Sequence, residues 1–108
     1  METENLPVAC SLTNSELQER RKEVLLQAKT AMIGVKETES GFIYHFSSSS
    51  ERIAALGNLI ALEHQCCPFL SFRLTVEPEE APVSLELSGP QGTKEFLVRL
   101  FDCGTAEQ

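Results

Sequence analysis

An apolar segment at residues 53–62 constrains the possible folds of this chain more than any other feature does. It continues directly into a segment that contains two adjacent cysteines and ends at Pro68. The segment is too short to cross a bilayer, which takes about 20 residues. It is apolar almost all round, which predicts a helix that is buried on most sides. Pro68 should end the helix, because a proline disfavours helical geometry at the residue before it. We therefore expect a globular fold built around this helix.

Two kinds of periodicity divide the rest of the chain. Apolar residues that alternate predict strands at 7–12, 31–37, 41–46, 70–76 and 83–87. Helical spacing and end signals predict helices at 14–30, 49–67 and 93–102. The order β-α-β-β-α-β-β-α places consecutive strands in hairpins. It predicts an α+β fold, a two-layer sandwich in which an antiparallel sheet is covered by helices.

Length and charge narrow the classes of function. The chain has 108 residues, which fits a single domain at 1–108 with frayed tails at 1–5 and 104–108. Nine basic and sixteen acidic residues give a net charge of −7, and this argues against a nucleic-acid partner. The one basic cluster, residues 20–22, is interleaved with glutamates and reads as the solvated face of a helix.

The N-terminus indicates a cellular compartment, and the predicted sheet indicates a possible partner. Residues 1–5 are acidic where an export signal would be basic, and no segment is long enough to span a membrane, so we expect a cytoplasmic protein without a membrane partner. A small sheet with few aromatic residues can bury one face against a second copy of the chain, so a homo-oligomer is a further expectation.

Four cysteines, at positions 10, 66, 67 and 103, are the main chemical feature. A cytoplasmic protein should keep them reduced, and their spacing fits neither a disulfide framework nor the C-x-x-C pairs of zinc ribbons and thioredoxins. Residues three and four apart share a helix face, so Glu63, Cys66 and Cys67 should lie together at the end of the apolar helix. A carboxylate on that stripe needs a metal ion or an arginine, and Arg52 and Arg73 are the candidate arginines.

The position of the thiols favours metal binding over catalysis. Thiolates and a carboxylate suit Zn²⁺, and softer ions such as Cu⁺ also prefer thiolate. The C-terminal end of a helix carries partial negative charge, which favours a cation and disfavours a free thiolate, whereas reactive cysteines prefer helix N-termini or cationic neighbours. Cys10 shares the inward face of its predicted strand with Val8 and Leu12, so it is the next candidate ligand.

A simpler interpretation stands beside this one, since free cysteines are often only packed in a core. Packing alone is the simpler reading of Cys10, and Cys103 near the end of the chain is interpreted as incidental. His64 should point away from Glu63 by about a hundred degrees on an ideal helix, and His45 should face solvent. A vicinal disulfide between Cys66 and Cys67 is disfavoured by the usual geometry of disulfides.

Three stretches of the chain together carry a resemblance: Ala9-Cys10-Ser11-Leu12, the E-x-x-C-C-P-F pattern at 63–69, and Gly89-Pro90-Gln91-Gly92. Over nearly its full length the chain resembles small bacterial proteins of unassigned activity whose sequences recur near heavy-metal genes. The resemblance implies that Cys10, Glu63, Cys66 and Cys67 act as one unit. His64 stands where that pattern would have an arginine, so the resemblance assigns no arginine at this position.

The sequence thus supports three hypotheses of different class. The first is a cytoplasmic protein that binds a soft or borderline metal ion (Zn, Cu or Hg) through Glu63, Cys66 and Cys67, with Cys10 the next ligand, for buffering or resistance. The second is a thiol-dependent or redox enzyme that uses Cys66 or Cys67. The third is a structural or interaction module in which the cysteines are buried and inert.

Overall fold

The described part of the chain, residues 15–102 of a computed structural model, contains three helices and four strands. They are, in chain order, α1 (Ser15–Ala31), β1 (Met32–Glu37), β2 (Gly41–Phe46), α2 (Ser50–Cys66), β3 (Ser71–Thr75), β4 (Val83–Ser88) and α3 (Thr93–Asp102). The predicted helices and hairpin strands agree with these bounds to within two residues. The strand predicted at 7–12 lies outside the described residues.

The four strands form one antiparallel sheet in the order β1-β2-β4-β3. Alternate residues of β2 and β4 stand opposite one another, so that Tyr44 pairs with Leu85 and Phe46 with Val83. These four side chains are buried, whereas their neighbours on the opposite face are partly or fully exposed. The alternation read from the sequence therefore corresponds to one buried and one solvated face, as is common in antiparallel sheets.

The three helices supply the other half of the core. Their buried aliphatic and aromatic residues are Leu25 and Ala28 of α1, Leu56 and Leu59 of α2, and Leu97 and Phe101 of α3. The predicted α+β architecture, a two-layer sandwich, is confirmed. Within the described residues, no helix is long and apolar enough to cross a membrane.

Helix α2 is buried on one side only, so the prediction that it is buried on most sides is wrong. Leu56, Leu59 and Glu63 face the core, but Ala54 and Ala61 are exposed. The outer face of the helix carries small residues such as these alanines. They count as apolar in the sequence, but their side chains expose little apolar surface. A helix can carry such residues on its solvated side at little cost, so the composition of the segment overstated its burial.

Strand β1 also departs from a regular strand. The register with β2 shifts between Met32 and Gly34, and Ile33 and Val35 are both more than half exposed. An irregularity of this kind is typical of the edge of a sheet. The alternation of Ile33 and Val35 therefore does not place them in the core.

Glycine is needed at the start of β2. A Cβ atom on Gly41 would collide with the backbone carbonyl of Leu87 on the neighbouring strand. Gly57, in the middle of α2, has open space around the same position. A methyl group added at Gly41 would therefore clash with the neighbouring strand, whereas one added at Gly57 would not clash with any atom.

We predict opposite effects for alanine at these two positions. Gly41→Ala should lower the free energy of unfolding by about 1–3 kcal/mol, because β2 and β4 must separate to admit the methyl group. Gly57→Ala should raise it by about 0.5–1 kcal/mol, because alanine is the better helix former. Urea denaturation of both variants checks this, and equal effects would show that the close approach at Gly41 does not constrain the sheet.

Candidate metal centre

The candidate site lies at the C-terminal end of α2. Glu63 and Cys66 continue the buried stripe of Leu56 and Leu59, since all four follow one another at intervals of three or four residues. Cys67 is the C-cap residue that follows the helix, and it too is buried. The sequence prediction that Glu63, Cys66 and Cys67 lie together is confirmed.

The way the helix ends places Cys67. Its N–H still donates to the Glu63 carbonyl at 2.6 Å, but its own backbone (φ −124°, ψ 79°) has left helical geometry. Pro68 follows, and the N–H of Leu70 donates to the Cys67 carbonyl at 3.1 Å to close a turn. Phe69 and Leu70 are both buried and hold this turn against the core. Cys67 is thus directed inward by the turn and by Pro68.

Glu63 forms an ion pair with Arg21 of α1. The guanidinium Nε donates to Oε2 of Glu63 at 2.7 Å, and Nη2 donates to Oε1 at 3.1 Å. The Glu63 side chain is only 1% exposed and that of Arg21 is 15% exposed. Bidentate pairing of this kind satisfies both oxygens of a carboxylate.

The two arginines proposed from the sequence as partners of Glu63 were the wrong ones. Arg73 is 78% exposed and approaches Glu86 across the sheet at 3.7 Å. Arg52 lies in the first turn of α2, where its N–H donates to the Ser49 side chain that caps the helix. Arg52 precedes Glu63 by eleven residues, which is about 16 Å along a helix. Arg73 lies on the exposed face of β3.

A sequence pattern could have identified Arg21. It falls four residues after Leu17, three before Val24 and seven before Ala28, so it lies on the apolar stripe of α1. The interpretation of residues 20–22 as a solvated face holds for Arg20 and Lys22, which are exposed, but is wrong for Arg21. Successive helical residues are about 100° apart, so the three side chains point in different directions. A charge on an apolar stripe indicates a buried partner.

The Cys67 thiol sits against this ion pair. Its Sγ lies 3.4 Å from Oε1 of Glu63, to which it donates, and 3.8 Å from Nη2 of Arg21. Burial first, and then the nearby negative charge of Glu63, raise the pKa of the Cys67 thiol to about 12, although Arg21 opposes the shift. At neutral pH this cysteine is therefore a protonated thiol and a poor nucleophile.

Cys66 differs from its neighbour in oxidation state. It is fully buried and disulfide-bonded, whereas Cys67 is a free thiol, so the two are not bonded to each other. The expectation that every cysteine stays reduced is thus wrong for Cys66 in this structure. Cys10 and Cys103 lie outside the described residues.

The donor atoms of Glu63, Cys66 and Cys67 all lie within 4.8 Å of one another, and all three residues are buried. With Zn–S near 2.3 Å and Zn–O near 2.1 Å, ligand sulfur and oxygen atoms of a tetrahedral zinc site are about 3.6 Å apart. The Cys67 Sγ to Glu63 Oε1 distance of 3.4 Å is close to that value. The cluster therefore could hold a metal ion once Cys66 carries a free sulfur.

The histidines lie outside this cluster. His64 is exposed, as predicted, with its ring edge toward Phe72. His45 is half-buried on the solvated face of the sheet, where its Nδ1 lies 3.3 Å from the Ser84 hydroxyl. The prediction that His45 faces solvent is therefore correct for the face of the sheet, but the side chain is partly buried rather than exposed.

We predict that the Arg21–Glu63 pair is strongly coupled. Arg21→Met should lower the free energy of unfolding by about 3 kcal/mol, because it leaves a buried carboxylate without its partner. Glu63→Gln should cost less, because Arg21 is near enough to the surface to reach water. The double variant should be more stable than Arg21→Met alone. Urea denaturation of the four proteins measures the coupling, and additive effects of the two substitutions would contradict it.

We also predict a loss of stability at high pH that depends on Cys67. The folded protein holds the Cys67 proton up to about pH 12, whereas the ordinary pKa of the group is 9.0. The contribution of this thiol to stability is therefore complete below pH 9 and is lost as the pH rises from 9 toward 12, at up to about 1.4 kcal/mol per pH unit. Denaturation of the wild type and Cys67→Ala between pH 8 and 11 checks this. Parallel curves would contradict it.

Comparison with known proteins leaves the chain without an assigned family. No protein-family model, no curated protein and no solved structure matches it. The resemblance carried by the E-x-x-C-C-P-F pattern stays a prediction. Function is therefore inferred from the chemistry of the site itself.

Proposed function

We propose that this protein, in its reduced form, binds one soft or borderline metal ion at Glu63, Cys66 and Cys67, for buffering or resistance in a bacterial cytoplasm. One observation carries the proposal: two cysteine sulfurs and a carboxylate, all buried, have their donor atoms within 4.8 Å of one another. Zn²⁺, Cu⁺ and Hg²⁺ are the ions whose ligand preferences fit the set.

The carboxylate can contribute without losing its arginine. Oε2 of Glu63 is held by the shorter bond to Arg21, at 2.7 Å, while Oε1 faces the Cys67 sulfur. Oε1 is therefore the oxygen suited to ligate an ion, with Arg21 orienting the carboxylate from behind. An outer hydrogen bond that orients a ligand in this way is usual in metal sites. Cys10, or a water molecule, would complete a four-coordinate shell.

The oxidation state of Cys66 sets a condition on metal binding. A sulfur in a disulfide cannot serve as a thiolate ligand, so the disulfide and the metal ion exclude each other. Reduction breaks the S–S bond with two electrons and two protons. Two thiol molecules supply both and become a disulfide, whereas a phosphine supplies only the electrons and is converted to its oxide by water, which provides the oxygen and the protons. Metal binding then requires that the released thiols give up their protons.

A redox function is the second candidate, because Cys66 is disulfide-bonded and Cys67 is a free thiol beside it. The step would be a thiol–disulfide exchange, in which an external thiolate attacks the disulfide sulfur of Cys66 and displaces its partner as a thiolate. Two features weigh against it: Cys66 is fully buried, and the high pKa of Cys67 makes it a weak attacking group. Metal binding is favoured over it for these reasons.

We predict that the reduced protein holds one metal ion and the oxidised protein holds none. Native mass spectrometry with Zn²⁺, Cu⁺ or Hg²⁺ measures this after reduction by a phosphine and, separately, without it. A Cys66→Ser/Cys67→Ser variant should bind no ion. In the reduced protein, Cys103→Ser is the matched control and should bind as the wild type does, while Cys10→Ser tests the fourth ligand.

Three results would decide against the proposal in different ways. Equal metal binding by the wild type and the Cys66→Ser/Cys67→Ser variant would place the ion elsewhere. Absence of binding, together with rapid exchange between Cys66 and a small disulfide or dithiol, would favour the redox function. Absence of both, in a folded protein, would leave a structural module with inert cysteines.

A further inference from the structure

We infer that the Arg21–Glu63 ion pair sets the net charge of the thiolate site and so selects a divalent thiophilic cation over a monovalent one. The inference rests on the proposed function and goes beyond it, since it names the charge class of the ion and the residues that choose it. Arg21 was not among the residues that the sequence assigned to the site.

The charges around the two sulfurs carry the inference. Arg21 is permanently cationic and holds both oxygens of Glu63, so this pair contributes no net charge. Two thiolates, at Cys66 and Cys67, bring two negative charges, and the fourth ligand adds none when it is a water molecule rather than the Cys10 thiolate. A divalent ion neutralises them completely, whereas Cu⁺ leaves one negative charge in a site whose carboxylate and sulfurs are buried.

An unbalanced charge at this place is costly because little solvent reaches it. Glu63 is 1% exposed, and both cysteines are fully buried. Among the described residues, Arg21 brings a fixed positive charge to the site: its Nη2 lies 3.8 Å from the Cys67 sulfur but is already paired with Glu63. At an effective dielectric constant of about 20, one unit charge about 4–6 Å away changes a binding constant by roughly a hundredfold to a thousandfold.

The decisive variants change this charge one unit at a time. Glu63→Gln leaves Arg21 unpaired, so that a Cu⁺ site becomes neutral and a Zn²⁺ site carries one positive charge. The double variant Arg21→Met/Glu63→Gln returns the pair to zero charge while the carboxylate is still missing. Loss of charge balance and loss of an oxygen ligand therefore have different consequences in the two variants.

The experiment measures Zn²⁺ and Cu⁺ affinities of the phosphine-reduced protein by competition with a chelator for each ion. The quantity compared is the ratio of the two affinities relative to the wild-type ratio, so the intrinsic preference of thiolates for Cu⁺ cancels. We expect Glu63→Gln to shift the ratio by roughly a hundredfold to a thousandfold toward Cu⁺. The double variant should return to within about threefold of the wild type.

Arg21→Lys serves as a second, milder variant, because it keeps the positive charge and gives up the bidentate contact. It should hold the wild-type ratio within about threefold. Circular dichroism confirms that each variant is folded before its affinities are compared.

The outcomes separate this inference from the proposed function. A ratio that stays unchanged in Glu63→Gln overturns the inference, and so does one that shifts and stays shifted in the double variant, because Glu63 then acts only as a ligand. A shift in Arg21→Lys as large as that in Glu63→Gln also overturns it. If the wild type binds neither ion, the proposed function itself fails. If it binds both and no variant changes the ratio, only the selection by charge fails.

Discussion

The buried ion pair between Arg21 and Glu63 is the interaction on which the site depends. A carboxylate on the core face of α2 would destabilise the fold if it had no partner, because its desolvation is not offset by packing. Arg21 supplies that partner from α1, so the pair also joins the two helices at the point where α2 ends. With both oxygens held, Oε1 is left facing the Cys67 sulfur at 3.4 Å. The orientation of the carboxylate beside the thiol thus follows from the contact between α1 and α2.

The Glu63 carboxylate disfavours one possible function of the thiols, nucleophilic catalysis, and favours the other, metal binding. Its negative charge, added to burial, raises the pKa of Cys67 to about 12 and so disfavours a free thiolate. The same charge attracts a cation, and a bound cation stabilises thiolates directly. A nucleophilic cysteine needs positive charge nearby and some exposure, and Cys67 has an arginine that is already neutralised. The surroundings of Cys67 therefore favour a metal ion over covalent catalysis.

Much of the fold could be predicted from the sequence because its signals are local. Alternation in β2 and β4, the Ser49 cap and Pro68 each act within a few residues, and the helices and hairpins follow from them. The cluster of Glu63, Cys66 and Cys67 could be predicted for the same reason, since helical spacing alone brings them together. Arg21 could not be assigned to Glu63 in this way, because it stands forty-two residues away and only the packing of α1 on α2 joins them. The oxidation state of Cys66 is likewise absent from any local pattern, since a disulfide depends on which sulfurs the fold brings within bonding distance.

Net charge connects the stability of the core with its capacity for metal. With the thiols protonated, the site contains only the Arg21–Glu63 pair and is neutral. With a divalent ion and two thiolates it is neutral again, because one ion replaces two protons. The core can therefore pass between the two states without burying an unbalanced charge. A site that held Glu63 without Arg21 would be negative in both states, and each would carry the desolvation penalty of one charge. Arg21 thus has two effects. It offsets the desolvation penalty of the buried Glu63, and it keeps the site neutral when two thiolates bind a divalent ion.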